Sequence, residues 1–247
     1  MNYKNALAIS DLHLNLLDAT NRFYIPPPVL QGYLEKCMLS NDVVLLLGDV
    51  VETWTGSSFG DTLGRFRRIE HENHEFFEFL RGAIESGGIR YITGNHDSVV
   101  YSEGLLIPTL NRDIIDIGGR KTLLEHGHFA DFYNSDGGII GRTIMWLGAQ
   151  ITRLGIVEAD RIWRLFKRHL TPGRIQGNMR VKRYYTEKAR RLGCQSVLIG
   201  HTHVEDADMS DSVWYGNTGC WVGKTKYLPV LTVTYSGISK TYERFDT

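Results

Sequence analysis

The 247-residue chain predicts an α/β fold with its reactive residues gathered along one edge of a buried sheet. Three observations carry this expectation. Short apolar runs alternate with longer segments at helical spacing. Five such runs lead into polar motifs of Asp, Asn, Glu and His, where an open α/β sheet places its site at the strand ends. The C-terminal stretch then turns to β-branched and aromatic residues separated by glycines, which favour strands and hairpins.

The elements follow in order. Residues 6–9 form the first strand, and the Asp11 loop follows. Pro26, Pro27 and Pro28 suit a helix start, so a helix covers 29–39. A second strand covers 42–47 and a polar, aromatic loop covers 52–60. One long helix covers 63–85, with Phe66, Ile69, Phe76, Phe77, Leu80 and Ile84 along one side. Gly87 and Gly88 end it. Strands follow at 89–93, 114–117 and 121–125. A helix over 181–192 feeds a strand at 196–199. Segments 213–215, 220–222, 230–235 and 238–242 read as antiparallel strands.

Composition narrows the function classes. Lys+Arg and Asp+Glu are both 28, so net charge is zero and there is no strong nucleic-acid signal. Cys37, Cys194 and Cys220 form no close pair, which disfavours a disulfide framework. The first residues enter the first strand without a signal-peptide pattern, and no apolar run spans a bilayer. A cytoplasmic protein is the expectation.

The five motifs are Asp11-Leu12-His13, Gly48-Asp49, Gly94-Asn95-His96-Asp97, His126-Gly127-His128 and Gly200-His201-Thr202-His203. Carboxylate with imidazole suits manganese, iron, zinc or cobalt. The motifs contain no thiolate, which argues against a structural zinc site. Asp49 has lone pairs enough to bridge two cations. Asn95 offers a neutral oxygen. Two cations a few Å apart can clamp a phosphoryl group and acidify a water between them. Asp97 is expected to cap the next segment. His71, His74 and His169 are expected to be bystanders.

Together with Glu52, these motifs resemble the calcineurin-like metallophosphoesterase signature over about residues 6–235. The resemblance implies a four-layer αββα sandwich with two divalent metal ions between its sheets. Manganese is the first choice, and iron, zinc or cobalt are alternatives. It places Asp11, His13, Asp49 and His203 on one ion, and Asp49, Asn95, His126 and His201 on the other. His96 faces the leaving-group oxygen and Glu52 orients it. In-line attack by a hydroxide bridging the two ions is the implied chemistry. His128 is expected to contact substrate. One domain over residues 1–247 is expected, carrying an insertion at 137–191.

That insertion reads as a basic amphipathic helical cap. Ile140, Ile144, Leu147, Ile151 and Leu154 recur at helical spacing, as do Ile162, Leu165 and Phe166. Arg153, Arg161, Arg164 and Arg168 fall along another side, and Pro172-Gly173 marks a break. Either the cap packs on the sandwich with a solvated basic face, or it is a lid that meets a lipid-linked substrate at a membrane surface. Trp146 and Trp163 suit such a boundary. Residues 48–54 and 215–222 resemble the UDP-2,3-diacylglucosamine pyrophosphatase branch, with Cys220 and His128 where that branch has Asp. The alternatives are a phosphodiesterase, nuclease or protein phosphatase of the same superfamily, or a catalytically silent binding scaffold.

Overall fold

A computed structural model describes residues 2–106, 109–131, 138–156, 171–210, 212–223 and 226–245. Twelve strands and six helices are assigned among these. In the first half they are β1 (Asn2–Tyr3), β2 (Ala6–Ile9), α1 (Pro27–Ser40), β3 (Val44–Leu47), α2 (Thr62–Glu72), α3 (His74–Glu85), β4 (Ile89–Ile92), α4 (Ser98–Ser102) and β5 (Thr109–Leu110). Then come β6 (Arg112–Ile117), β7 (Arg120–Glu125), a 3-10 turn at His128–Ala130, α5 (Ile139–Arg153), α6 (Thr171–Arg191) and β8 (Ser196–Ile199). The chain closes with β9 (Asp206–Ser210), β10 (Val213–Asn217), β11 (Tyr227–Thr234) and β12 (Gly237–Arg244).

Two mixed six-stranded sheets form, in the orders β12-β11-β2-β3-β4-β5 and β1-β6-β7-β8-β10-β9. Alternation along each strand decides which layer a side chain joins. Leu7, Ile9, Val44 and Leu46 face helices α1–α3 in one core. Ala6, Ala8, Leu45 and Leu47 point the other way, onto Ile115, Ile117, Leu124 and Leu198 of the second sheet. Leu123, Val197 and Ile199 on that sheet's outer face meet Val181, Tyr185 and Ala189 of α6. The result is the four-layer αββα sandwich. Both faces of each central strand are covered, which explains the unbroken apolar runs.

Four expectations about the elements are corrected. The single helix over 63–85 is two helices, because Asn73 leaves helical geometry and its amide donates to Ile69 O at 2.8 Å. An Asn side chain competes in this way for helix carbonyls. Residues 220–222 are not a strand. Trp221 instead donates its backbone N–H to Asp11 O at 3.0 Å and its indole N–H to Pro229 O at 2.9 Å, which ties the segment to the end of β2. β10 is parallel to β8 and antiparallel only to β9. The intervening β9 was not anticipated, since Asp206-Ala207-Asp208-Met209 lacks strand-forming residues. The fourth correction concerns α5. Arg153, expected on a solvated side, is turned inward, and α6 begins ten residues earlier than expected, with Pro172 in its first turn.

Residues 157–170 lie outside the described residues. The expectations for Ile162, Trp163, Leu165, Phe166, His169 and the three arginines there fall on that stretch. No helix among the described residues is long and apolar enough to cross a membrane.

Candidate metal centre

Five loops reach one place because of how the strands are ordered. β2, β3 and β4 are parallel neighbours, so Asp11 and His13, then Asp49 and Glu52, then Asn95 and His96 leave the same end of one sheet. β7 and β8 are parallel neighbours in the other sheet and deliver His126 and His201. Backbone hydrogen bonds lace the loops together. Asp11 N donates to Gly48 O at 3.0 Å, His13 N to Asp49 O at 2.9 Å and Gly200 N to His126 O at 2.8 Å. His201 N crosses between sheets to Asp11 Oδ2 at 3.0 Å.

The backbone is strained where the side chains converge. Asp11 (φ 53°), His13 (51°), Asp49 (53°), His201 (69°) and His203 (57°) are all left-handed. Ser212 is the one other non-glycine residue of this kind among the described residues. Each costs about 1–2 kcal/mol. Strain of this kind concentrates at functional sites. The motif glycines have a separate reason. A Cβ on Gly94 would lie 2.7 Å from Asp49 N, and one on Gly48 would lie 2.8 Å from Gly94 N.

The side chains form three overlapping groups: Asp11, His13 and His203; His13, Asp49 and His96; and Asp49, His126 and His201. His203 Nε2 lies 3.0 Å from Asp11 Oδ1, and His13 Nε2 lies 3.4 Å from His203 Nε2. His13 Nε2 is 3.9 Å from Asp49 Oδ2. On the other side of Asp49, His126 Nε2 is 3.1 Å from the same Oδ2. His201 completes that group. Asp11, Asp49, Asn95 and His126 are buried.

Divalent cations fit this donor set. His126 Nδ1 donates to Leu47 O at 2.7 Å. A neutral His126 therefore aims the Nε2 lone pair at the Asp49 carboxylate, acceptor against acceptor. Only a proton or a cation relieves that contact. Without a cation, a proton takes the place. Burial disfavours charge on His126, but Asp49 and Asp11 outweigh it and raise the pKa to about 10. Burial also raises the Asp11 carboxyl, yet His203 and His126 hold it down at about 2. The Asn95 Oδ1 is buried without a hydrogen-bond partner, so this neutral oxygen is left to a ligand.

Beside the groups stands a second device. Glu52 is buried and its carboxylate serves two imidazoles. His96 Nδ1 is 3.0 Å from Oε1, and His13 Nδ1 is 3.0 Å from Oε2. Burial disfavours charge on His96, but Glu52 and then Asp49 raise its pKa to about 9. Its ring stacks on Trp54 at 4.0 Å between centroids, and its backbone N–H donates to Asp49 Oδ1 at 2.8 Å. His128 lies at the margin, its ring 5.6 Å from that of His126. Burial and the charges of His126 and His201 lower its pKa to about 3, so it stays neutral.

Three roles were missed or misassigned in the sequence. Asp97 makes no capping bond. It accepts from Val50 N at 2.7 Å, Gly94 N at 2.6 Å and Tyr91 OH at 2.5 Å, and so pins the β3 and β4 loops together. Asp131 lies 3.1 Å from His201 Nε2 and orients that ring. Its place five residues after His126 was the available signal. Trp54 was noticed only as part of a pattern, with no hint of its stack on His96. His71 and His74 are exposed, as expected.

Comparison with known proteins agrees on the family. No curated protein matches this chain. Among solved structures, an archaeal phosphodiesterase is 14% identical, covering 96% of this chain and 99% of its own, with a TM-score of 0.43. The phosphoesterase YfcE of E. coli is 14% identical over 93% of this chain and 87% of its own, with a TM-score of 0.41. Vacuolar protein sorting 29 of Cryptosporidium parvum is 14% identical over the whole of both chains, with a TM-score of 0.43. The calcineurin-like phosphoesterase family matches residues 5–205, a span holding all five His/Asp motifs and Glu52, and the chain belongs to that family.

Proposed function

We propose that this chain is a two-metal phosphoesterase that hydrolyses a phosphodiester or pyrophosphate bond. The observation that carries this reading is a row of overlapping His/Asp groups linked through His13 and Asp49, with a cationic His96 in the middle one. Asp11, His13, Asp49 and His203 would hold one ion; Asp49, Asn95, His126 and His201 would hold the other. Bound divalent cations, manganese by preference, supply Lewis acidity toward phosphoryl oxygens and acidify the attacking water. The chain's own residues do the rest. His96, kept protonated by Glu52, faces the leaving oxygen and gives it a proton. Glu52 and Trp54 fix the His96 ring. His128, neutral and at the margin, contacts the substrate.

The finer reading is a lipid-linked pyrophosphate such as a UDP-2,3-diacylglucosamine, with residues 137–191 as a cap on a single domain. One feature of α5 supports it. Ile140, Ile144, Leu147, Ile151 and Leu154 are between 39% and 73% exposed, while Ala149 and Thr152 are buried. An aliphatic stripe left in water suits contact with acyl chains or a membrane face. On α6, Lys182 is paired with Asp206 and Asp208 and Lys188 with Glu125, so the reading rests on the aliphatic stripe and not on the charge of these lysines. A protein at the cytoplasmic membrane surface follows from this reading.

The test is turnover by manganese-loaded protein of four substrates: bis-p-nitrophenyl phosphate, the sugar-lipid pyrophosphate, a cyclic nucleotide and a phosphopeptide. Hydrolysis of the first two is expected. Hydrolysis of the first without the second removes the lipid assignment. No hydrolysis of any, with two metals bound, refutes the phosphoesterase reading and leaves a binding scaffold.

A further inference from the structure

Buried or half-buried arginines near the site mostly have acidic or amide partners. Arg65 donates to Asn15 Oδ1 at 2.6 Å and Asp18 Oδ2 at 3.0 Å. Arg153 reaches Gly56 O at 3.1 Å and Asp18 Oδ2 at 3.4 Å, and also donates to Thr55 O. Arg142 differs. Its guanidinium lies over the Trp54 ring, 5.5 Å from the centroid; its Nε, like that of Arg65, is buried without a hydrogen-bond partner. No acid among the described residues pairs with it. Burial alone acts on it and lowers its pKa. Desolvating a cation without a counter-charge costs free energy. The indole face returns only a part of that.

The placement is held from outside the residue. Arg142, Trp146, Gln150 and Arg153 recur on one face of α5. Trp146 meets Phe59 edge-on at 5.7 Å, and Gln150 Nε2 donates to Gly56 O at 3.0 Å. All of these partners belong to the loop that carries Glu52 and Trp54. The helix is thus docked by its polar and aromatic face along the loop behind His96. Trp54 lies in contact with both His96 and Arg142.

We propose that Arg142 is a specificity-determining residue, holding a second anionic group of the substrate on the leaving-group side of the scissile phosphorus. This rests on the phosphoesterase reading of the metal centre. The planar guanidinium offers paired donors that match a phosphate or phosphonate oxyanion. Bound cations would neutralise one phosphoryl group, and Arg142 adds a separate point of attachment for another. Substrates with a single anionic phosphorus lack that attachment.

The experiment uses full-length protein loaded with manganese and freed of excess metal. Affinity is measured for orthophosphate, with one phosphorus, and for methylenediphosphonate, with two. Arg142→Met is expected to weaken the diphosphonate by about tenfold or more, the scale of one charge-assisted contact. Orthophosphate affinity is expected to stay within about twofold of wild type. Arg142→Lys, which keeps the charge but not the fork, recovers part of the loss. An equal loss for both ligands assigns Arg142 to structure alone and overturns the proposal, as does no loss for either. Should Arg142→Met melt early, Arg142→Gln carries the same comparison. Wild-type protein that binds both ligands but hydrolyses no phosphoester would sink the phosphoesterase reading, and with it the leaving-group role; a diphosphonate-selective loss in the variant would then show only an anion contact at Arg142, so the two failures are told apart.

Discussion

Replacing Glu52 by Gln separates the electrostatic work of this residue from its shape. Two imidazoles lose their counter-charge at once, because His13 Nδ1 and His96 Nδ1 both lie 3.0 Å from the carboxylate. The His96 pKa is raised to about 9, with burial opposing the shift and Glu52 the leading cause in favour. Without Glu52, burial is left to oppose Asp49 alone, and the bound cations cancel much of Asp49. His96 then falls to its ordinary value near 6.5 or below. At pH 8 a group titrating at 9 is about nine-tenths protonated, and one titrating at 6.5 about 3% protonated. A reaction that needs the His96 proton therefore slows by up to about thirtyfold at pH 8 and much less at pH 6. Bound cations also weaken the Asp49 contribution in the wild type, so its limb lies below 9, and the displacement between the two limbs, not the ratio at pH 8, is the expected result. The loss of the His13 partner adds a tenfold to hundredfold weakening of metal affinity. The assay is kcat/KM for bis-p-nitrophenyl phosphate from pH 5 to 10 at saturating manganese, with a separate metal titration. An alkaline limb in the same place for both proteins would refute the argument, whatever the absolute rates.

Three other outcomes follow. Gly94→Ala is expected to lose metal and to melt lower by an amount matching about 1–3 kcal/mol, since its Cβ would lie 2.8 Å from Asp49 Cγ; elemental analysis and thermal melts check this, and a full metal complement refutes it. Metal-free protein is expected to lose stability between pH 7 and 10. His96 and His126 titrate at about 9 and about 10, above their unfolded value, so their contribution is complete below about 6.5 and lost as pH rises through those values; a melting temperature that is flat or rising over that range is the contrary result. Pairing Ile144→Asp with Ile151→Asp is expected to reduce binding to anionic phosphatidylglycerol vesicles with little change in melting temperature, because both side chains are substantially exposed. A sedimentation assay that finds equal binding removes the lipid-facing role of α5.

The convergence of these residues was legible because each motif follows an apolar run, and a buried parallel strand has little choice but to deliver its last residues to one edge. Asp49 illustrates this: five apolar residues and a glycine precede it, and it belongs to two of the three groups. What the motifs did not reveal was the reason for their glycines. The metal chemistry of the motifs does not itself call for Gly48, Gly94 or Gly200. Each is in fact a point where backbone from one loop closes on another, with a Cβ on Gly200 lying 2.7 Å from Ser10 Cβ. Such closeness is a property of residues far apart in the chain, and no local pattern encodes it. The same holds for Asp131 beside His201, Trp54 beneath Arg142, and Glu52 shared between His13 and His96. The break at Asn73 was missed for the opposite reason. The apolar spacing on either side is continuous, and a single side-chain amide bonded to Ile69 O outweighs it. Spacing reports which face of an element is buried. Interruptions and shared partners depend on one hydrogen bond each, and single bonds leave no periodic trace. The functional consequence is specific to Glu52. A motif search treats His13 as a metal ligand and His96 as an acid, two separate roles. The structure joins them through one carboxylate, so metal affinity and the alkaline limb should move together in Glu52→Gln and separately in variants of either histidine.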